Sequence, residues 1–275
     1  MEYTDQVVVI TGAGSGMGRA YALEFAQRGA VLALNDVNAH ALAETVSLLD
    51  PRVRVLTGAY DVADWSATEA FAEQVRTTLG DACVVVNNAG IEGAGTPIWA
   101  TEPPTYDRVM AVNYSGVVHG TRAFLPQLLA GDRGAIVNVS SVFGLIGVPN
   151  HADYCASKFA VRGFTEALAA ELLHTPISVH LVHPGGVATN IARREETQAF
   201  AGKYLTTPPE QIARVVVDAI GTRRTRIVVG RGSRRIWLAG RLLPLPVLAR
   251  LLWREMSPVL HDAHYPASRA GGVDR

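Results

Sequence analysis

The chain holds only two cysteines, Cys83 and Cys155. Two thiols make no disulfide framework, and no Cys/His spacing suits zinc, so a stapled secreted scaffold is excluded and no metal is expected. Lysine is nearly absent too: Lys158 and Lys203 are the only two, and arginine supplies the rest of the positive charge. No sign of charge prevails, because 25 basic residues meet 25 acidic ones. Without a basic excess there are few counterions to release from phosphates, which argues against nucleic acid as a partner. A spanning helix needs about 20 apolar residues with few charges. The nearest stretch, 236–253, is broken by Arg241, Pro244, Pro246 and Arg250, so it suits a surface better than a bilayer core. A charged-then-apolar leader is also missing, since strand-like sequence begins at Gln6. A reducing, cytoplasmic setting is the expectation.

What is present is an alternation. Short β-branched apolar runs at 7–10, 31–34, 53–56, 83–86, 135–139, 178–182 and 227–229 read as seven strands. Helical patterns separate them at 19–27, 39–49, 65–79, 153–173 and 209–220, with a long one from Pro103 that ends or is interrupted near Pro126. Several strands are continuously apolar, the pattern of parallel strands buried on both faces. Strand–helix–strand units in series are right-handed crossovers. The expected fold class is α/β: a Rossmann-type, doubly wound, seven-stranded parallel sheet with helices on both faces. With 275 residues, 48% of them hydrophobic, the chain can bury a sizeable core. A single catalytic domain is expected over 1–232, holding cofactor and substrate sites together. An extension over 233–275 is expected to pack on that domain or on a neighbouring subunit.

Ligands in such sheets bind beyond the carboxyl ends of the strands, where the strand order reverses. Between the first strand and the first helix lies Thr11-Gly12-Ala13-Gly14-Ser15-Gly16-Met17-Gly18. Glycines allow tight turning and close backbone approach, and the helix start offers free N–H groups to a pyrophosphate. The spacing is Gly12, Gly16, Gly18 rather than G-x-G-x-x-G, and the Lys-Ser/Thr ending of a nucleoside-triphosphate loop is missing. A plain glycine turn is the alternative. Asp36 ends the second strand. A carboxylate there can accept hydrogen bonds from both adenosine ribose hydroxyls and repel a 2′-phosphate. Ser15 and Val37 offer that phosphate no cation. The three positions agree on NAD over NADP; the alternative for Asp36 is a turn shared with Asn38.

Tyr154 and Lys158 stand at i and i+4 of a helical pattern, on one face and about one turn apart. An ammonium beside a phenol favours phenolate and is expected to draw the tyrosine pKa down from about 10, which suits a general acid/base. Taken alone, the pair reads as readily as a packed tyrosine beside a surface lysine.

The wider constellation resembles a classical short-chain dehydrogenase/reductase. The matching segments are the 11–18 loop, Asp61-Val62, Asn87-Asn88-Ala89-Gly90, Asn113, Ser140-Ser141, Tyr154-Cys155-Ala156-Ser157-Lys158 and Pro184-Gly185-Gly186-Val187-Ala188-Thr189. They run in order over roughly 6–230, leaving the tail after Gly232 uncovered. The resemblance implies that Tyr154 exchanges a proton with the substrate oxygen, and that Lys158 lowers its pKa and binds the nicotinamide ribose. It implies that Ser141 hydrogen-bonds that oxygen, Ser140 supporting the strand end instead, and that Asn113 holds a water linking Lys158 to solvent. For the cofactor it implies Gly12, Ser15, Gly16, Met17, Gly18, Asp36, Asp61, Val62, Asn88, Ala89, Gly90, Pro184, Gly185, Val187 and Thr189, together with Tyr154 and Lys158. Homo-oligomers, tetramers or dimers, are common among similar proteins.

The expected function is NAD(H)-dependent interconversion of a secondary alcohol and a ketone. An epimerase or dehydratase using the same pair, and a non-catalytic NAD-sensing protein, are the alternatives. Gly93, Val142, Phe143, Val148, His151, Gly186 and Ile191 are the candidate substrate pocket, with Ala94 beside them and a lid over 190–206. Being mostly small or apolar, they point to an apolar substrate. His151 reads equally as a solvent-facing loop residue, and Arg193 and Arg194 as a solvated charged face of the lid. Cys83 and Cys155 are expected in packing, and His183 in a structural role. The arginine-rich tail is expected to meet the pocket or another subunit, in preference to a membrane surface.

Overall fold

The computed structural model describes residues 3–189, 191, 194–222, 224–260 and 264–265. Its strands are β1 (Val7–Thr11), β2 (Val31–Asp36), β3 (Val55–Ala59), β4 (Ala82–Asn87), β5 (Gly134–Val139), β6 (Ile177–Pro184) and β7 (Arg226–Val229). They form one parallel sheet in the order β3-β2-β1-β4-β5-β6-β7. The continuous apolar runs have the predicted cause. Val8 and Ile10 enter a core shared with Tyr21, Phe25, Ile212 and Val216, while Val7 and Val9 enter one on the other side with Phe71, Val75, Phe124 and Leu128. Successive side chains of a strand alternate in face, so a strand covered on both sides must be apolar at every position.

The first core is closed by α1 (Gly16–Gln27) and α8 (Pro209–Ala219), and the second by α3 (Trp65–Thr78), α5 (Gly116–Ala130) and α6 (Ala152–Glu171). The helix starts follow local chemistry. Asn38 caps α2 (Ala39–Ser47) by accepting from the Ala41 N–H, and Asp64 caps α3 by accepting from Ala67. Proline opens α4 (Pro103–Met110) and α8, where its missing N–H costs nothing.

Two boundaries differ from expectation. The third strand begins at Val55 and runs through Thr57 and Gly58, because β3 is an edge strand whose side chains are at most half-buried and need not be apolar. Pro126 does not end its helix. α5 continues to Ala130. A proline there loses one backbone bond, but Gln127 anchors the turn from both ends, accepting from the Ala82 N–H at 3.0 Å and donating to the Ala72 carbonyl at 2.8 Å. Between α4 and α5 the chain makes a π-helical turn, Ala111–Ser115, which carries Asn113. Such turns insert a residue and re-aim side chains, often at functional positions.

The sheet order reverses between β1 and β4. At that crevice Thr11 Oγ1 accepts the N–H groups of Asn88 and Ala89, and the Asn88 amide donates back to the Thr11 carbonyl at 3.0 Å. The two loops that flank the switch point are thereby locked together.

Candidate active site

The glycine loop is shaped by close approaches. A β-carbon on Gly18 would lie 1.9 Å from the Gly12 carbonyl oxygen, and one on Gly16, at φ +51°, would lie 2.9 Å from Thr189 Cγ2. Thr189 therefore hangs across the loop, joining the 184–189 segment to the start of α1. Ser15, the residue before α1, supplies no side-chain cap, and no acidic side chain sits in the first turn. The unpaired N–H groups of that turn and its dipole suit a phosphate. Asp36 points into the same loop, accepting from Gly14 N at 2.8 Å through Oδ2 and from Asn38 N at 2.9 Å through Oδ1. The turn with Asn38 and the approach to the loop thus coexist. A cradle of this form fits a dinucleotide.

Deeper in the crevice, Lys158 is buried and donates from Nζ to the Val139 carbonyl at 3.1 Å, with Nζ 5.6 Å from the centroid of the Tyr154 ring. Gly90 is the floor between Lys158 and Asn113, as a β-carbon there would meet Lys158 Nζ at 3.4 Å and Asn113 Oδ1 at 3.2 Å. Asn113 accepts from Ile91 N at 2.8 Å, donates to the Ile91 carbonyl at 3.0 Å, and donates to Ser157 Oγ at 3.1 Å. Ser157 in turn donates to the Tyr154 carbonyl. Ser141 and Ser140 diverge: the Ser141 hydroxyl reaches the Tyr154 phenol, while the buried Ser140 donates to the Lys158 carbonyl at 2.8 Å.

The electrostatics correct one expectation. Burial pushes the Tyr154 phenol up to about 12, against the Ser141 hydrogen bond that favours phenolate. The Lys158 ammonium does not pull it down in the protein alone; burial moves Lys158 itself down to about 8. Desolvation outweighs attraction here because both charged forms are taken out of water together. The phenol is therefore neutral at pH 7 and ready to donate.

Other predicted residues are placed as follows. Asp61 pairs with Arg108 at 2.7 Å, and Val62 is buried against Gly116. Val187 is buried and bridges Thr207. Pro184 ends β6, and Gly185 packs against Ser233. Gly186 packs on the Tyr204 carbonyl, whereas the space beside Gly93 is filled by the Asp153 carboxylate. Phe143 lies edge-on to the phenol ring, 6.0 Å from Tyr154, and His151 lies edge-on to Phe143 at 5.2 Å. Val142 and Val148 are buried, and Val148 N donates to Cys155 Sγ. Ile191 is half-buried. Asn190 and Arg193 lie outside the described residues, and Arg194 is exposed.

Three residues near the site, Phe200, Glu92 and Asp153, carry no signal in the sequence, and a fourth, His183, gains a specific partner. Phe200, on α7 (Glu195–Tyr204), stacks 5.8 Å from Phe143 and 5.2 Å from His151. Glu92 latches this helix by accepting Arg194 N at 3.0 Å and Thr197 Oγ1 at 2.8 Å. His183, which sequence places either beside the cofactor or in a structural role, donates from Nδ1 to the Ser141 carbonyl at 2.8 Å; burial pushes it down to about 4, so it is neutral. Asp153 is buried and accepts the N–H groups of Ala94 and Tyr154, each at 2.7 Å. Asp153→Ala strips the buried Ala94 N–H of its partner and is expected to cost roughly 1–3 kcal/mol in urea unfolding. An unchanged midpoint would show that the contact carries no energy.

These features have counterparts in known proteins. The pattern of the family described as short chain dehydrogenase matches residues 6–199. The Mycobacterium tuberculosis protein named SadH is 41% identical over 254 residues, covering 88% of this chain and 92% of that protein. Estradiol 17-beta-dehydrogenase 11 of Pongo abelii is 32% identical over 258 residues, covering 92% and 84% respectively. The crystal structure of a short chain dehydrogenase/reductase from Burkholderia phymatum in complex with NAD superimposes with a TM-score of 0.80 at 31% identity, covering 94% of this chain and 96% of that one. The parallel sheet, the glycine loop at its switch point and these matches together make the chain a member of the short-chain dehydrogenase/reductase family of oxidoreductases.

Proposed function

We propose that the protein interconverts a secondary alcohol and a ketone with NAD(H), using Tyr154 as general acid/base. The observation that carries this reading is the meeting of Ser141, Tyr154 and Lys158 beside Gly90, at the crevice of the sheet. The nicotinamide cofactor, when bound, supplies or accepts the hydride. In reduction, the neutral Tyr154 phenol donates its proton to the carbonyl oxygen while the Ser141 hydroxyl stabilises the negative charge developing there. His183 holds the Ser141 backbone, and the Asn113–Ser157 bonds hold the turn of α6 that bears Tyr154. In the other direction the phenolate accepts the alcohol proton, with the Lys158 ammonium close by to favour it.

An apolar substrate is favoured by the ring cluster that begins at the phenol: Phe143 is edge-on to Tyr154, and His151 and Phe200 pack on Phe143 and on each other. The glycine cradle and Asp36 support NAD over NADP. NADH is expected to exceed NADPH in kcat/KM by roughly tenfold or more, equivalent to about 1.4 kcal/mol. Asp36→Asn keeps an oxygen for the Gly14 N–H but removes the charge, and should narrow the ratio. Equal kcat/KM for the two cofactors in the unmodified protein would contradict the assignment. The test of the reaction is NADH oxidation, followed by absorbance, against apolar ketones, diketones and steroid ketones. Bound NAD with no net redox turnover would move the reading to an epimerase or dehydratase, and NADH binding with no chemistry to a sensor.

Self-association belongs to the same reading. Leu129 on α5 and Phe159 on α6 are exposed large apolar side chains, as is Leu173 just past α6, and they support a homodimer or tetramer built on these helices. Light scattering on the purified protein tests it, a monomer being the contrary result. Among the described residues no helix is long and apolar enough to cross a membrane, and cytoplasmic residence is part of the proposal.

A further inference from the structure

The chain beyond β7 folds into two amphipathic helices, α9 (Ser233–Leu242) and α10 (Leu245–Met256). Each is used on one face only. Ile236 and Ala239 from the first, Leu243 just past it, and Leu248, Leu252 and Met256 from the second, pack with Ile146, Val148, Cys155, Phe143 and Phe200. That face covers the wall of the active site. Other apolar side chains of this segment are open: Leu238 and Leu242 on the far face of α9, Leu245 at the first turn of α10, and Val247, Leu251 and Trp253 along its flanks are all exposed, Leu242 at 71% and Leu245 at 76%. The spacing 238–242 on α9 and 247–251 on α10 is that of one helical face in each case. Packing against the rest of the chain thus accounts for one side of this segment.

The charge on the open side selects the occupant. Five arginines lie within these two helices, Arg234, Arg235, Arg241, Arg250 and Arg254, against one acid, Glu255. Glu255 is already engaged, accepting from the Tyr204 hydroxyl at 2.7 Å and standing 3.7 Å from Lys203. Arginine also lines the groove at the start of α9, where Arg224, Arg231, Arg234 and Arg235 surround about 740 Å³. At the other end, aromatic rings carry the apolar surface onward. Tyr265 stands edge-on to both Trp253, at 5.1 Å, and Trp99, at 5.6 Å, and Trp99 is 70% exposed with Ile98 beside it. A second copy would bring the same arginines against themselves in a two-fold contact, which like-charge repulsion penalises. Exposed leucines flanked by arginine and interfacial tryptophan and tyrosine are the composition that an anionic bilayer surface takes up, with apolar side chains entering the acyl boundary and guanidinium groups at the phosphates.

We propose that the outer face of α9 and α10, extended by Trp99 and Tyr265, docks the protein on an anionic lipid surface. The contact is peripheral, and it places the aromatic wall of the active site next to the bilayer. The claim does not depend on which reaction the site performs. It is tested by co-sedimentation of the full chain with phosphatidylcholine vesicles, with and without phosphatidylglycerol. Wild type should bind the anionic vesicles, with binding weakened by salt and with a blue shift in tryptophan emission. The pair Arg241→Gln/Arg250→Gln should lower the partition coefficient roughly 25-fold, at about fivefold per arginine. The pair Leu242→Gln/Leu245→Gln should weaken binding at low and high salt alike. All four side chains are exposed, so circular dichroism should match wild type. Wild type that stays in the supernatant with anionic vesicles overturns the proposal, as does binding unmoved by both pairs. Failure to bind, combined with an oligomer that the leucine pair splits in light scattering, would assign the face to a second copy instead.

Discussion

Tyr154→Phe is expected to lower kcat by roughly 10²–10⁴-fold, the usual contribution of a placed general acid/base. The substitution removes one oxygen. The ring keeps its edge-on contact with Phe143 at 6.0 Å, and the Asp153 bond to residue 154 is made by the backbone N–H, so the helix start is preserved. NADH binding, followed by fluorescence titration, should therefore survive while turnover disappears. The pH dependence carries the same assignment in another form. Burial holds the phenol neutral, up to about 12 in the protein alone. Reduction begins with the protonation state it needs and should be flat near neutrality. Oxidation must first remove that proton, so its kcat/KM should climb as pH rises. A Tyr154→Phe protein with wild-type kcat would remove the phenol from the chemistry.

Lys158→Met is expected to abolish activity and yet raise stability. Burial lowers the ammonium pKa from 10.5 to about 8. Below pH 8 both folded and unfolded chains hold the proton, and the fold bears the full cost of enclosing a cation. Between about 8 and 10.5 the unfolded chain binds more protons than the folded one, so the contribution of this group to stability rises with pH across that window. The depression corresponds to about 3 kcal/mol at neutral pH. Methionine matches the length of the lysine stem and carries no charge, but leaves the Val139 carbonyl without its donor, at about 1 kcal/mol. A net gain of roughly 2 kcal/mol in urea unfolding at pH 7 should result, shrinking as pH approaches 10. A loss of stability in the variant would mean that the ammonium is better solvated in the fold than its burial suggests.

These two residues also mark where sequence reasoning reached and where it stopped. Tyr154 and Lys158 share a helix face by the 3.6-residue period, so their pairing was legible from their spacing. Their protonation was not, because desolvation belongs to the packed site: the expected fall in the tyrosine pKa is replaced by a rise. The position of Asp36 at the end of β2 was likewise legible, but its bond to Gly14 joins that strand end to the glycine loop, 22 residues away. Gly93 is a substrate-pocket candidate from sequence, as one of the residues expected near the catalytic tyrosine. In the fold its smallness admits the Asp153 carboxylate from the start of α6.

The alternation of apolar runs with helical patterns was enough to determine the parallel sheet and its doubly wound character, while the strand order that puts the switch point beside the glycine loop came from the tertiary structure. The sheet and its winding follow from side-chain period, β-branching and turn chemistry, all of which act within a few residues. The tertiary structure alone decided the contacts made over long separations: Asp153 on Ala94 across 59 residues, Thr197 on Glu92 across 105, and His183 on Ser141 across 42. It also decided which face of the arginine-rich tail is covered. Both the packed and the open sides of α9 and α10 carry apolar residues, so composition could not separate them. The distinction arises only where Ile146, Val148 and Cys155 lie against one face, while on the other Tyr265 alone among the described residues stands edge-on to Trp253.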